Sequence, residues 1–179
     1  MIRAPLVRLA ILPDAMRDDA TTPDIDRARV AAERLGEERG VGMSEGNVEI
    51  VRRGLDLLRD SYESGVATDA LLELCAPDIR VDATHRVFNP DVYEGEAGVR
   101  RSIREICDVW EDFHQINDRF IDLGDRVVVL QTIGGRGRAS KAQVQLQGAL
   151  ICTVRDGLIR LIEIFVDQRE ALKAAGLER

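Results

Sequence analysis

The stretch from residue 113 to 166 constrains the fold most, because four strand-like segments follow one another there with only short turns between them. Apolar and β-branched residues predict strands at about residues 113–123, 126–136, 143–155 and 158–166. Asp156-Gly157 favours a tight hairpin, since both residue types tolerate the positive φ angles that such turns require. Gly124 and Asp125 mark another turn, so the sequence predicts antiparallel pairing of these strands.

Helical patterns come before this sheet. Apolar residues at helical spacing predict helices at about 45–59 and 96–109. Between them, Thr68 is suited to cap a short helix over 69–75, a strand follows at 79–83, and the segment 84–95 is irregular. Helices grouped before a strongly bent sheet predict an α+β domain in which the sheet wraps around the helices.

A short final helix is predicted after the last strand. Asp167 can cap the amide of Glu170 while Glu170 reaches back, and Gly176 can end the helix in a left-handed conformation. The predicted domain covers residues 43–179.

The first 42 residues differ in kind from the rest, because after Pro13 they contain few large apolar side chains. Such a segment buries too little surface to offset its ordering entropy, although a weak helix at 24–35 fits the spacing. Two interpretations stay open: residues 1–42 are a flexible extension, or they precede the true start of the protein at Met43.

The charge balance and cysteine pattern exclude several classes of protein. The chain has 25 basic and 32 acidic residues and a net charge of −7, without the basic face that nucleic-acid binding requires. The three cysteines stand alone, with no metal-ligand spacing and no disulfide framework. The isolated cysteines therefore predict no metal site. The early apolar run at 6–12 is too short to span a bilayer, and we expect a cytoplasmic protein.

The wording of several segments resembles the SnoaL-like branch of the nuclear transport factor 2-like superfamily. The matching text begins with Asn47-Val-Glu-Ile-Val-Arg-Arg and continues with Ala76-Pro-Asp-Ile and Val92-Tyr-Glu-Gly. It ends with Asp125-Arg-Val-Val-Val-Leu and Val154-Arg-Asp-Gly-Leu-Ile-Arg-Leu. No single piece is specific, but their order and spacing together are.

The resemblance implies a cystatin-like cone, in which a bent sheet and helices enclose a largely apolar pocket. It implies a small apolar molecule as the ligand, no cofactor, and a homodimer formed through the sheet. Two functions stay open: acid–base catalysis such as cyclisation, isomerisation or hydration, and non-catalytic binding or assembly. Because a fold does not define a function, the choice depends on the polar groups that line the pocket.

Three residues are candidate catalytic groups. Asp82 lies on a strand that should line the pocket, and His85 could orient it if the chain bends between them. Asp82 can equally pair with Arg80 or Arg86 at the surface, with His85 in a solvated loop. Glu163 interrupts an apolar strand, which fits either a buried acid or an ordinary exposed polar position.

Five further residues are candidate pocket residues. Trp110 and Phe113 stand where aromatic side chains could wall a pocket, although they also fit a core. Gln147 is a possible partner of Glu163, and Phe165 shares its face of the strand. Asp167 aligns with an acid–base aspartate of SnoaL-like cyclases, but its spacing to Glu170 is already explained by helix capping.

Overall fold

The computed structural model describes residues 44–86 and 89–178, so the predicted extension and Met43 lie outside the described residues. This part of the chain forms four helices and six strands. Their bounds are α1 Ser44–Ser64, α2 Asp69–Glu73, β1 Cys75–His85, β2 Val92–Glu94, α3 Gly95–Val109, β3 His114–Asp122, β4 Arg126–Arg136, β5 Gln143–Arg155, β6 Leu158–Phe165 and α4 Gln168–Ala175.

The six strands form one sheet in the order β2-β1-β6-β5-β4-β3. Strand β1 runs parallel to β6, and every other neighbouring pair is antiparallel. The sheet curls without closing, so the predicted α+β fold with a bent mixed sheet is confirmed. The parallel pairing brings the first strand of the chain beside the last one.

Two hairpin turns and the start of helix α2 lie where the sequence predicts them. Asp156 and Gly157 have φ angles of 54° and 76°, and Gly124 has a φ of 83°. The hydroxyl of Thr68 accepts a hydrogen bond from the amide of Leu71 at the start of α2. These local predictions are confirmed. They could be made from sequence because each depends only on residues close together in the chain.

Two elements, α1 and β1, differ in their bounds from the sequence-based expectation. Helix α1 continues to Ser64, beyond the predicted end at residue 59. Strand β1 covers Cys75–His85, more than the predicted residues 79–83, and includes Pro77. A register shift between Cys75 and Arg80 removes this part of β1 from regular pairing with β6, so the missing amide of Pro77 breaks no ladder.

The short strand β2 was predicted as part of an irregular segment. It has only three residues and pairs with β1 through Arg80–Glu94, Val81–Tyr93 and Asp82–Val92. Three residues are too few for a recognisable alternation, so a contact distant in sequence decides this strand.

Both faces of the sheet carry buried apolar residues, in two separate cores. Its inner face packs on α1 and α3 through residues such as Val51, Ile103 and Val129. Its outer face is covered in part by α4, where Leu172 packs with Phe165. Strands β4 to β6 are therefore apolar on both sides over much of their length.

Capping by Asp167 should hold α4 on the outer face. Its carboxylate accepts hydrogen bonds from the amides of Arg169 at 2.7 Å and Glu170 at 3.2 Å. We expect Asp167→Ala to lower the free energy of unfolding by about 1 kcal/mol, measured by urea denaturation. Asp167→Asn is the control and should retain most of the stability, because asparagine also caps. Equal stability of all three proteins would contradict this role.

Candidate functional site

A cavity of about 690 Å³ lies between the inner face of the sheet and the helices α1 and α3. Every layer of the domain contributes aliphatic side chains to its wall, since apolar residues alternate toward the inside along each strand. They include Leu58 of α1, Ile79 of β1, Val99 of α3, Ile133 of β4 and Ile164 of β6. The wall is largely apolar.

Aromatic rings line one part of the cavity. Phe113 meets the ring of Tyr62 edge to face, with 4.9 Å between centroids, and lies 6.0 Å from the ring of Trp110. The indole packs directly on the backbone at Gly135, where an added Cβ would come within 2.9 Å of it. The structure thus places two of the predicted pocket residues, Trp110 and Phe113, in the cavity wall.

Gly54 is a point of close packing on the helical side of the wall. It lies in the middle of α1, and a Cβ at this position would meet the side chain of Ile159 at 3.0 Å. A glycine inside a helix lowers helical stability, so this position is unfavourable for the helix alone. The absence of a side chain lets α1 lie close against Ile159 of β6.

The described wall of the cavity carries two charged side chains, Arg86 and Glu105. Its thiols are held neutral, because burial raises the pKa of Cys75 to about 11 and that of Cys152 to about 12. Burial also raises the pKa of Tyr62, although the nearby charge of Arg86 acts in the opposite direction. At neutral pH the phenol is therefore a hydrogen-bond donor.

Glu105 is held by two partners. The hydroxyl of Tyr93 donates a 2.6 Å hydrogen bond to its Oε2, and the Nε of Arg101 lies 3.9 Å from its Oε1. Arg101 also pairs with Asp91 at 2.8 Å. The pKa of the Tyr93 phenol is raised to about 12. Burial is the largest cause, and the hydrogen bond to Glu105 is the next. The carboxylate is thus fixed in orientation on the wall.

The three candidate catalytic residues lie together, but on the outer face of the sheet. Asp82 and Glu163 are register partners on β1 and β6, and His85 pairs with Phe165 beyond a register shift. None of the three lines the cavity, whose residues on these strands include Val81 and Ile162. Their catalytic role stays a prediction, and this position gives it no support from the cavity.

Asp82 has local partners on that face. Its Oδ1 accepts hydrogen bonds from the hydroxyl of Thr84 at 2.6 Å and from the Thr84 amide at 3.1 Å, and Arg80 lies 3.2 Å from Oδ2. The Thr84 hydroxyl is the largest cause that lowers the pKa of this carboxyl, against the effect of burial. A lowered pKa makes Asp82 a weaker base, as expected for the surface alternative.

The remaining candidates also lie outside the cavity wall. Gln147 is exposed and exchanges hydrogen bonds with Thr132 and Gln168. Phe165 is buried in the outer core and stacks on His85, with centroids 4.6 Å apart. Asp167 caps α4, so its structural role accounts for its side chain.

Sequence reasoning missed the polar groups of the wall, and one of them had a signal. Tyr62 continues the apolar stripe of α1 four residues after Leu58, but the helix was expected to end at residue 59. Glu105 lies in α3 three residues after Ser102, and both line the cavity. Arg86 follows the irregular end of β1, where no periodicity predicts the direction of a side chain.

The described part of the chain shows neither a cluster of metal ligands nor a membrane-spanning helix. Within residues 44–86 and 89–178, no three His, Cys, Asp or Glu side chains come together as metal ligands would. No helix in these segments has the length and apolar character needed to cross a membrane.

The curled sheet, the helices inside it and the cavity between them define the fold class of nuclear transport factor 2-like proteins. The family model of the SnoaL-like domain matches residues 56–162. The chain therefore belongs to the SnoaL-like family, as the resemblance in its sequence implied. No curated protein matches it significantly.

Solved structures share the fold at low sequence identity. An NTF2-like protein from Burkholderia xenovorans LB400 is 20% identical, with a TM-score of 0.58 over 74% of this chain and 98% of its own. TerC, co-crystallised with polyporic acid, is 21% identical, with a TM-score of 0.56 over 72% and 96%. A protein with a ketosteroid isomerase-like fold from Catenulispora acidiphila DSM 44928, in complex with trimethylamine, is 15% identical, with a TM-score of 0.53 over 69% and 92%.

The role of Thr84 in lowering the pKa of Asp82 can be measured directly. We expect Thr84→Val to raise the pKa of Asp82 toward its ordinary value, followed by NMR titration of the carboxyl carbon. In the wild type, Asp82 contributes stability above its unfolded-state pKa and loses it as the pH falls through the lowered folded-state pKa. Thr84→Val should shrink this contribution.

Thr132→Val is the matched control, because Thr132 lies on the same face but bonds to other residues. An unchanged Asp82 pKa in Thr84→Val would contradict the assigned cause.

Proposed function

We propose that the protein binds a small, largely apolar molecule in the cavity between the sheet and the helices α1 and α3. The observation that carries the proposal is the cavity itself, about 690 Å³ with a mostly aliphatic wall. Pockets for small molecules commonly measure roughly 300–1,000 Å³ and are lined by apolar side chains with a few polar groups.

The neutral polar groups of the wall support a ligand with at least one polar atom. Within the described residues, no partner bonds the hydroxyl of Tyr62 or the side-chain amide of Gln115, and both side chains line the cavity. A few unpaired donors and acceptors in an apolar wall can fix the orientation of a ligand.

Two proteins of this fold have been crystallised with small organic molecules, polyporic acid for TerC and trimethylamine for the Catenulispora protein. These ligands differ greatly in size and charge, so they support a container for small molecules without naming the one that belongs here. The expected homodimer stays a prediction; the side chain of Ile116, 56% exposed in the single chain, agrees with a contact through the sheet.

Filling the cavity should weaken binding. Ile164 faces the cavity on β6, whereas Leu161 lies on the opposite face of the same strand. We expect Ile164→Trp to weaken binding of the neutral fluorophore N-phenyl-1-naphthylamine by about tenfold or more, because the indole occupies the ligand's volume. Fluorescence titration measures the dissociation constant.

Leu161→Trp is the matched control and should bind the fluorophore as the wild type does. Circular dichroism and thermal melting establish that both variants fold. Equal binding by folded Ile164→Trp and wild type would place the fluorophore elsewhere and contradict the proposal, as would no binding by the wild type.

A second candidate function, proton transfer without a cofactor, is favoured by Glu105. Its carboxylate lies on the wall of an apolar cavity and is oriented by the hydroxyl of Tyr93. A positioned carboxylate beside a bound molecule can accept a proton from it.

5-Nitrobenzisoxazole tests this second function as a general probe for a base. Removal of its ring proton by a carboxylate breaks the N–O bond and releases a coloured nitrophenolate. We expect Glu105→Gln to lower the rate about 100-fold, because glutamine keeps an acceptor for Tyr93 but is not basic. Glu73→Gln, at an exposed position, is the control. A rate that is unchanged in Glu105→Gln would exclude Glu105 as the base.

A further inference from the structure

Arg86 differs from the other cationic side chains around the cavity. It follows directly after β1, and its amide donates a 3.0 Å hydrogen bond to the carbonyl of Ala83, which fixes the turn of the chain at this point. Its side chain is half-buried and forms part of the cavity wall. The charge therefore lies where water only partly solvates it.

Within the described residues, no carboxylate pairs with the guanidinium of Arg86. Its neighbours are paired: Arg80 lies 3.2 Å from Asp82, and Arg101 lies 2.8 Å from Asp91. The acid of the cavity wall, Glu105, already accepts from Tyr93 and faces Arg101. Arg86 thus brings a positive charge to the wall that the surrounding side chains do not pair.

Arg86 and the aromatic residue Tyr62 both line the cavity. In agreement with this, the charge of Arg86 opposes the rise in the pKa of Tyr62 that burial causes. The hydroxyl of Tyr62 has no partner within the described residues, so a second donor lines the same cavity as the cation.

We propose that the cavity selects ligands with a terminal carboxylate, which Arg86 binds and the Tyr62 hydroxyl supports, while the apolar body of the ligand lies against the aliphatic wall. This inference rests on the proposed binding function and names its ligand class, an apolar monocarboxylic acid in its ionised form. The planar guanidinium donates in a fork that matches the two carboxylate oxygens. A partly desolvated cation gains most from an anion that shares its site.

Decanoate and decan-1-ol form a matched pair that separates head group from chain. Each displaces N-phenyl-1-naphthylamine from the wild-type protein in a fluorescence titration at neutral pH, below the concentration at which micelles form. We expect decanoate to bind about tenfold more tightly than decanol, because a charge-assisted hydrogen bond is stronger than a neutral one. Added salt should weaken decanoate binding but not decanol binding.

Substitution of Arg86 should remove this preference. In Arg86→Gln we expect decanoate binding to fall about tenfold or more while decanol binding stays within about twofold of the wild type. Arg86→Lys should keep part of the preference for decanoate, because the charge remains while the fork is lost. Arg53→Gln removes an exposed arginine of α1 outside the cavity wall and should change neither affinity.

The two proposals fail in different ways. If the wild type binds the fluorophore but decanoate and decanol displace it equally, the carboxylate preference is wrong and the binding function stands. If Arg86→Gln still prefers decanoate over decanol as the wild type does, Arg86 is not the residue that binds the carboxylate, and the proposal is wrong. If Ile164→Trp leaves binding of the fluorophore intact, the binding function fails first.

Discussion

Burial of the inner face of the sheet against α1 and α3 holds this domain together, and the cavity exists because that packing is incomplete. Around Val51, Leu55 and Val129 the helices and the strands meet in one apolar core. Toward the hairpin that joins β4 and β5, residues such as Ile133 and Val144 face open space instead. The same apolar surface that stabilises the fold thus continues as the wall of the site.

The cavity lies on the inner face of the sheet, whereas a helix covers part of the outer face. Helix α4 buries part of the outer face, and Asp82, His85 and Glu163 stand on that face in a row across β1 and β6. The residues that oppose them on the inside of these strands are aliphatic, such as Val81 and Ile162. Polar chemistry in the cavity therefore comes from helices and strand ends, where Glu105 and Arg86 lie.

The sequence predicted the local structure far better than the site. Turns such as Asp156-Gly157 and the cap at Asp167 depend on neighbouring residues, so they could be found without coordinates. Alternation along β1 separated Asp82 from Val81, but it could not show which face meets the cavity, because both faces are covered. Arg86 follows a register shift in the pairing of β1 with β6, which only contacts distant in sequence determine.

Gly54 makes the shape of the cavity sensitive to a single substitution. It forms part of the helical side of the wall, and an added Cβ would already meet the side chain of Ile159 at 3.0 Å. A larger residue here would press on Ile159, so either that side chain or α1 itself would have to shift. A single substitution at this position can thus change the spacing between helix and sheet, and with it the shape of the cavity.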